Sequence, residues 1–361
     1  CVCAHLTQTR YAQKTCAETE VNMKNTNKFM KITIIVLAVI SLCGICTSIF
    51  FGFKYKYASR PVAADEVVLS QEELQKLQDE NSNIAKEEIL TGIHKHISEG
   101  NSIVDLLRTF YPDEIIYLAD GKYNFTKINH SLKKNNLDNK DFKIADNGEI
   151  SYTKDGVKTY RGIDVSSFQG EIDFSRVKKS GIDYAMIRCG YRGYGSSGKL
   201  SEDSFFKDNI TNALSNGLDV GVYFFTQAIN EQEAIEEADF VIEKIRPYKV
   251  TYPVVIDVEE IAADSYRQKN LSQAELTNVV LAFCKRIKEA GYTPVIYSNL
   301  RYFIGKMEFE RLEEYDKWYA YYNSDLYFPY NISMWQYTSS GSVDGINGDV
   351  DLNICFKKWE Q

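Results

Sequence analysis

Two carboxylates separated by a single residue close the run YPVVIDVEE, Asp257 and Glu259. Side chains two apart on a strand point the same way, so Pro253, Val255, Asp257 and Glu259 share one face while Val254, Ile256 and Val258 share the other. Burying unpaired carboxylates for packing alone is costly. In α/β barrels, moreover, the C-terminal ends of the strands carry the chemistry. Acids also sit at strand ends in RGIDVSSFQG, as Asp164, and in GDVDLNICF, as Asp351. First and last strands are neighbours in a closed barrel, so closure would gather all four carboxyls at one mouth, where they cannot all ionise freely. Divergent carboxyl pKa values are what glycoside hydrolysis uses. One group keeps its proton for the leaving oxygen while another stays anionic beside an oxocarbenium-like centre.

The elements that must position these acids are legible from residue 161 onward. Strand-like runs GIDVS, YAMIRC, VGVYFF, PVVIDVE, TPVIYS, KWYAYY and SMWQY alternate with amphipathic segments, which is the signature of βα units around a parallel sheet. Gly181, Gly217 and Gly291 fall where left-handed helix C-caps are expected. A capping box of Ser272 and Glu275 opens a helix that buries Leu276, Val279, Val280, Phe283 and Ile287. The expected class is α/β, a modified (β/α) TIM-like barrel over residues 160–361. No GxGxxG or GxxxxGK[ST] loop follows any strand, which argues against a doubly wound nucleotide-binding fold.

Upstream, residues 32–53 hold no charge and are flanked by Lys28, Lys31, Lys54 and Lys56, long enough to span a bilayer as a transmembrane helix. Residues 1–31 precede the span, and because Lys24, Lys28 and Lys31 before it are balanced by Lys54, Lys56 and Arg60 after it, charge alone leaves its orientation open. Met23 reads as a natural start and residues 1–22 as a fragment or over-extended frame. Residues 54–102 read as a stalk whose helix opens at the capping box of Ser70 and Glu73. Its apolar spacing, Leu74, Leu77, Ile84 and Ile89, suits self-association better than a sustained coiled coil. Residues 103–159 read as a small α+β membrane-proximal module. It has a short helix, a strand-like EIIYLADGKYNFTKI and a hairpin turning at Asp155 and Gly156, with no chemistry to assign.

Composition narrows the partners. A net charge of −8 with no Lys/Arg cluster beyond the short ones flanking residues 32–53 argues against nucleic acid. Cys189, Cys284 and Cys355, in apolar strand or helix contexts, read as buried free thiols, and no CxxC or HExxH pattern in the globular part suggests a metal. No cofactor is expected.

The segments RGIDVSSFQG, MIRCGYRGYGSSGKL, VGVYFFTQA, PVVIDVE, GYTPVIYSN and MWQYTSSGSVDGINGDVDLN, in this order, resemble glycoside hydrolase family 25, the lysozyme-type muramidases, over about residues 160–357. The resemblance implies a modified β/α barrel that cleaves the β-1,4 bond between N-acetylmuramic acid and N-acetylglucosamine in peptidoglycan glycan strands. It also implies Glu259 as general acid and Asp257 as the partner that stabilises charge or orients the substrate's acetamido group, with Asp164 and Asp351 completing the acidic set. Tyr223, Tyr297, Trp335 and Gln336 match positions of the sugar groove, and Arg188 is placed to tune the acids. A muramidase implies a catalytic domain outside the cell membrane and the N-terminus inside, near envelope machinery. The rival reading is a non-catalytic glycan-binding or scaffold barrel, and a third is cleavage of chitin-like polymers.

Overall fold

The computed structural model describes residues 69–261 and 266–359. The expected membrane segment 32–53 lies outside them, as do residues 1–31 and most of the stretch before the stalk helix. Among the described residues no helix is long and apolar enough to cross a membrane. The chain divides into two compact units, residues 1–91 and 92–361.

Helix α1, Gln71–Ser98, opens on the capping box read from the sequence. Glu73 accepts from the Ser70 backbone N–H at 2.8 Å, and Ser70 Oγ accepts from the Glu73 N–H at 3.2 Å. Leu74, Leu77, Ile84 and Ile89 are all exposed.

The second unit begins with α2, Ile103–Phe110, and the hairpin β1, Glu114–Ala119, with β2, Lys122–Lys127. The run EIIYLADGKYNFTKI is therefore two strands. Asp120 and Gly121 both take positive φ, 52° and 71°, as a two-residue hairpin turn requires. A second hairpin pairs β3, Phe142–Ile144, with β4, Ile150–Tyr152, turning through Gly148. The expected hairpin at Asp155 and Gly156 does not form. A turn is present, with Val157 N–H donating to the Lys154 carbonyl, but the strand after it is committed to the barrel.

That strand is β5, Tyr160–Val165. It is followed by α3, Phe174–Lys179; β6, Tyr184–Arg192; β7, Leu200–Glu202; α4, Phe206–Ser215; β8, Asp219–Phe225; α5, Glu231–Ile245; and β9, Val254–Asp257. Then come α6, Gln273–Glu289; β10, Pro294–Asn299; α7, Leu300–Gly305; β11, Asp316–Ala320; β12, Met334–Gly341; and β13, Val350–Cys355. Eight strands close in the order β5, β6, β8, β9, β10, β11, β12, β13 and back to β5. One departure from the expected parallel sheet positions the site. Strand β13 is antiparallel to both β12 and β5.

Two apolar clusters follow from the alternation of side chains. The larger lies between the sheet and its helices and includes Ile163, Ile187, Val254, Ile256 and the predicted face of α6. The smaller fills the barrel with Tyr184, Met186, Tyr252, Val255, Trp318 and Met334. Tyr184 and Tyr252 stack with centroids 4.3 Å apart. Gly162 is required beside them, since a Cβ there would fall 2.1 Å from the Tyr184 ring.

Candidate active site

Strand register sets the rim of the barrel residue by residue. Asp257, the last residue of β9, pairs with Tyr297, and Tyr297 pairs with Trp318. Ala320 pairs with Gln336, and Gln336 with Asn353. Asp351 pairs directly with Asp164, and Arg188 pairs with Tyr223. Asp351 is the second residue of its strand, whereas Asp164 and Asp257 lie at or next to the ends of theirs. Only the reversed direction of β13 brings it to the same mouth.

The result is a cavity of about 350 Å³ lined by all four predicted acids. Strand β9 stops at Asp257, and Glu259 projects into the cavity from the first loop residues beyond it. Glu260 points away and pairs with Arg301. Arg188, Tyr223, Tyr297 and Gln336 line the same cavity.

Trp335 does not, and this corrects the sequence reading. Neighbouring residues of a strand face opposite sides, so with Gln336 turned inward Trp335 turns outward. It is fully buried against Phe142, with ring centroids 5.2 Å apart, and its Nε1–H donates to the Tyr321 carbonyl at 2.8 Å. The cavity's tryptophan is Trp318. Sequence reasoning also missed Tyr322 and Phe168, both exposed rings at its edge. The strand-like run KWYAYY contains the signal for Trp318, since counting by twos from it reaches the inward Ala320 and then Tyr322.

A polar network fixes the inner acid. Asp164 Oδ2 accepts from Asn353 Nδ2 at 2.7 Å and from Gln336 Nε2 at 2.9 Å. Gln336 Oε1 accepts in turn from the hydroxyls of Tyr297 and Tyr322, each at 2.7 Å. Trp318 Nε1–H holds Asn353 Oδ1 at 2.8 Å. Asn353, unnoticed in the sequence, therefore links the tryptophan to the acid.

Arg188 is held by Asp203, which accepts from its Nε at 2.8 Å, and by Ser167 Oγ at 3.0 Å. Asp203 follows the added strand β7, and its side chain is fully buried. Because Asp203 already balances the guanidinium, Arg188 opposes but does not cancel the crowding of the acids.

Burial raises all four carboxyls above their ordinary range. Glu259 is pushed from 4.5 to about 7 by desolvation and then by the anion of Asp351, with Arg188 acting the other way. Asp351 is raised to about 6, chiefly by burial. Asp257 is raised by burial and then by Glu259. Asp164 is raised by burial and by Asp351, against the two amide donors that favour its anion. These groups titrate together. A proton on Glu259 removes the neighbouring anion that holds Asp257 up, so protonating one favours ionisation of the other. Asp257 Oδ1 is buried with no hydrogen-bond partner among the described residues, an arrangement that costs free energy unless a ligand uses it. Among the described residues no group of three or more His, Cys, Asp or Glu side chains is arranged to hold a metal ion.

The sequence profile of Glycosyl hydrolases family 25 matches residues 163–346, just over half of the chain and nearly all of the barrel. The chain belongs to this family. It is accordingly a glycoside hydrolase, built on an eight-stranded α/β barrel. Among family 25 relatives and similar proteins, YegX of Escherichia coli K12 is 32% identical over 207 residues, covering 54% of this chain and 69% of that one. The autolytic lysozyme of Clostridium acetobutylicum is 27% identical over 194 residues, 54% of this chain and 55% of its own. The solved structure of the modular autolysin LytC from Streptococcus pneumoniae aligns with a TM-score of 0.50 at 25% identity, covering 66% of this chain. The chain thus spans about half the length of LytC, 51%.

Proposed function

We propose that this family 25 hydrolase is an N-acetylmuramidase that cuts the β-1,4 bond between N-acetylmuramic acid and N-acetylglucosamine in peptidoglycan. One observation carries the reading. In a barrel of this family, Glu259 lines the cavity that holds Asp257 and has a carboxyl raised to about 7, so it retains its proton near neutrality. The relatives point the same way, one being an autolytic lysozyme and another an autolysin solved with a synthetic peptidoglycan ligand.

In this mechanism Glu259 donates its proton to the glycosidic oxygen as the bond to the anomeric carbon breaks. Asp257, whose pKa falls while Glu259 is protonated, stabilises the positive charge at that carbon or orients the substrate's acetamido oxygen toward it. Water then adds to the anomeric carbon, and its proton returns to the Glu259 carboxylate, which restores the acid. Asp164 and Asp351 keep the pocket anionic, and the Gln336–Asn353 network holds Asp164 in place. Trp318 and Tyr223, packed edge to face at 6.2 Å, wall the sugar site.

The same proposal includes anchoring. The uncharged run 32–53 would hold the enzyme in the cell membrane, N-terminus inside, with α1 in a stalk and residues 160–361 as an external catalytic domain facing the wall. Cell fractionation tests it, and hydrolase recovered free in the medium would count against an anchor.

For the chemistry, the full chain is incubated with purified wall and the products are read by mass spectrometry. Muramic acid at the new reducing ends is expected, and Glu259→Gln should lower the rate by about 10²–10⁴-fold while binding persists. Binding without cleavage by the wild type would favour a glycan-binding barrel. Products ending in glucosamine would mean that the other bond of the wall repeat is cut, and cleavage of chitin oligomers without cleavage of wall would point to a chitin-like substrate.

A further inference from the structure

A second cavity, of about 540 Å³, adjoins the acidic one and shares Glu259, Tyr297 and Tyr322 with it. Its opposite wall is not part of the family barrel. Ser102, Val104, Asp105 and Arg108, at the start of and along α2, and Tyr117 and Leu118 on β1 all face it, and all precede residue 163, where the family match begins.

We propose that residues 102–118 form the leaving-group side of the glycan groove, binding N-acetylated sugars on the far side of the scissile bond. This deepens the muramidase reading and rests on it. Direction follows from which acids each cavity contains. Asp257, Asp164 and Asp351 line only the first, whereas Glu259 lines both. A general acid must touch the bridging oxygen, which joins the sugar being attacked to the sugar that departs. The sugar whose anomeric carbon lies near Asp257 thus occupies the first cavity, and the departing sugars occupy the second.

The chemistry of the second cavity fits neutral sugars. Apart from Glu259, its charges are already paired, Arg108 with Asp105 at 2.7 Å, and Arg301 with Glu260 and with Asp120 at 2.9 Å. What remains is a set of phenol rings, the amides of Asn299 and Asn323, and the apolar side chains of Val104, Leu118 and Leu300. Amides and phenols suit hydroxyl and acetamido groups, and apolar side chains suit the acetyl methyl and the sugar faces. The wall is fixed to the barrel rather than draped over it. The Arg108 guanidinium lies 3.4 Å from the centroid of Tyr327, and its Nη1 donates to Tyr321 Oη at 3.3 Å. Leu118, by contrast, is 54% exposed and free to meet a ligand.

The test uses the full chain and an octasaccharide of the wall repeat labelled at its reducing end. Wild type should release a labelled fragment longer than a disaccharide, because departing sugars are held along the second cavity. Leu118→Trp, which narrows that cavity, should shorten the labelled product toward the disaccharide. In a Glu259→Gln background it should weaken octasaccharide binding at least about tenfold more than disaccharide binding. Leu118→Ala, which adds no bulk and guards against misfolding, should move both readings the same way by a smaller factor. An unchanged cleavage position with an unchanged affinity ratio overturns the proposal. If wild type cuts nothing while the affinity ratio falls as stated, the groove stands and the muramidase reading fails. If wild type neither cuts nor binds, both fall.

Discussion

Glu259 holds its proton because of its burial and of neighbours that can be removed one at a time. Burial is the largest cause of its upward shift, the Asp351 anion comes next, and Arg188 opposes both. A general acid works only while protonated, so kcat/KM should fall as pH rises through about 7. Asp351→Asn deletes one anion without changing shape, so Glu259 loses its proton more readily. The alkaline limb of the profile should then move to lower pH by roughly half to one unit. A pH–rate series on purified wall measures this, and a limb that stays put or moves upward would show that Asp351 does not act on the acid. The four carboxyls are legible in the sequence because acids at either end of an apolar strand have few structural explanations. The residues that hold them are less so. Asn353 and Asp203 act through hydrogen bonds to residues on other elements, and nothing local marks them, whereas Trp318 is marked only by the count of two along KWYAYY. Trp335 shows the opposite failure. Its type suits a sugar groove, but its parity with Gln336 places it on the outer face, and strict alternation would have separated the two.

Strand direction, rather than strand identity, is where sequence pattern gives out. Each of the seven strand-like runs read from the sequence contains a strand of the barrel. The last strand has no helix before it to mark a parallel crossover, and its reversal appears only in the register of Asp351 with Asp164. Hairpins divide on similar grounds. Asp120–Gly121 closes one because β1 and β2 have only each other to pair with, whereas the turn at Gly156 closes none because β5 finds two partners in the barrel. Strand β5 also bears the tightest packing at the barrel's interior end. Gly162 faces Tyr184, which is itself stacked on Tyr252, so neither ring has room to retreat. Gly162→Ala should therefore cost about 1–3 kcal/mol or more through overpacking, in spite of adding only one methyl group. Urea denaturation reads the loss directly. Stability within a few tenths of a kcal/mol of wild type would mean that the Tyr184–Tyr252 pair can shift.

Residues 103–159 read in the sequence as a small module with no chemistry of its own, and within the second unit they are packed into the barrel's flank. Phe142 meets Trp335 at 5.2 Å and Phe356 at 6.2 Å, and Tyr152 meets Phe356 at 5.9 Å. Backbone and side-chain hydrogen bonds tie Asn135 to Phe328 and Pro329, and Asn139 to Leu326. This attachment is invisible to pattern reading because the outer face of β12 looks like any strand face meant for a helix. In the structure, the β3–β4 hairpin covers it instead. A barrel cut at the family boundary would uncover Trp335 and Phe356 together and leave the amide partners at 326–329 to water. Apolar surface of that kind destabilises the fold by a few kcal/mol and promotes aggregation. A fragment beginning at Arg161 should accordingly melt at least about 5 °C below one beginning at Gly92, measured by circular dichroism at matched concentration. It should also lose the Leu118 wall of the second cavity, so its cleavage of long glycans should fall more than its melting point alone predicts at a temperature where both fragments are folded. Equal melting temperatures and equal product patterns would show that residues 103–159 neither brace the barrel nor extend its groove.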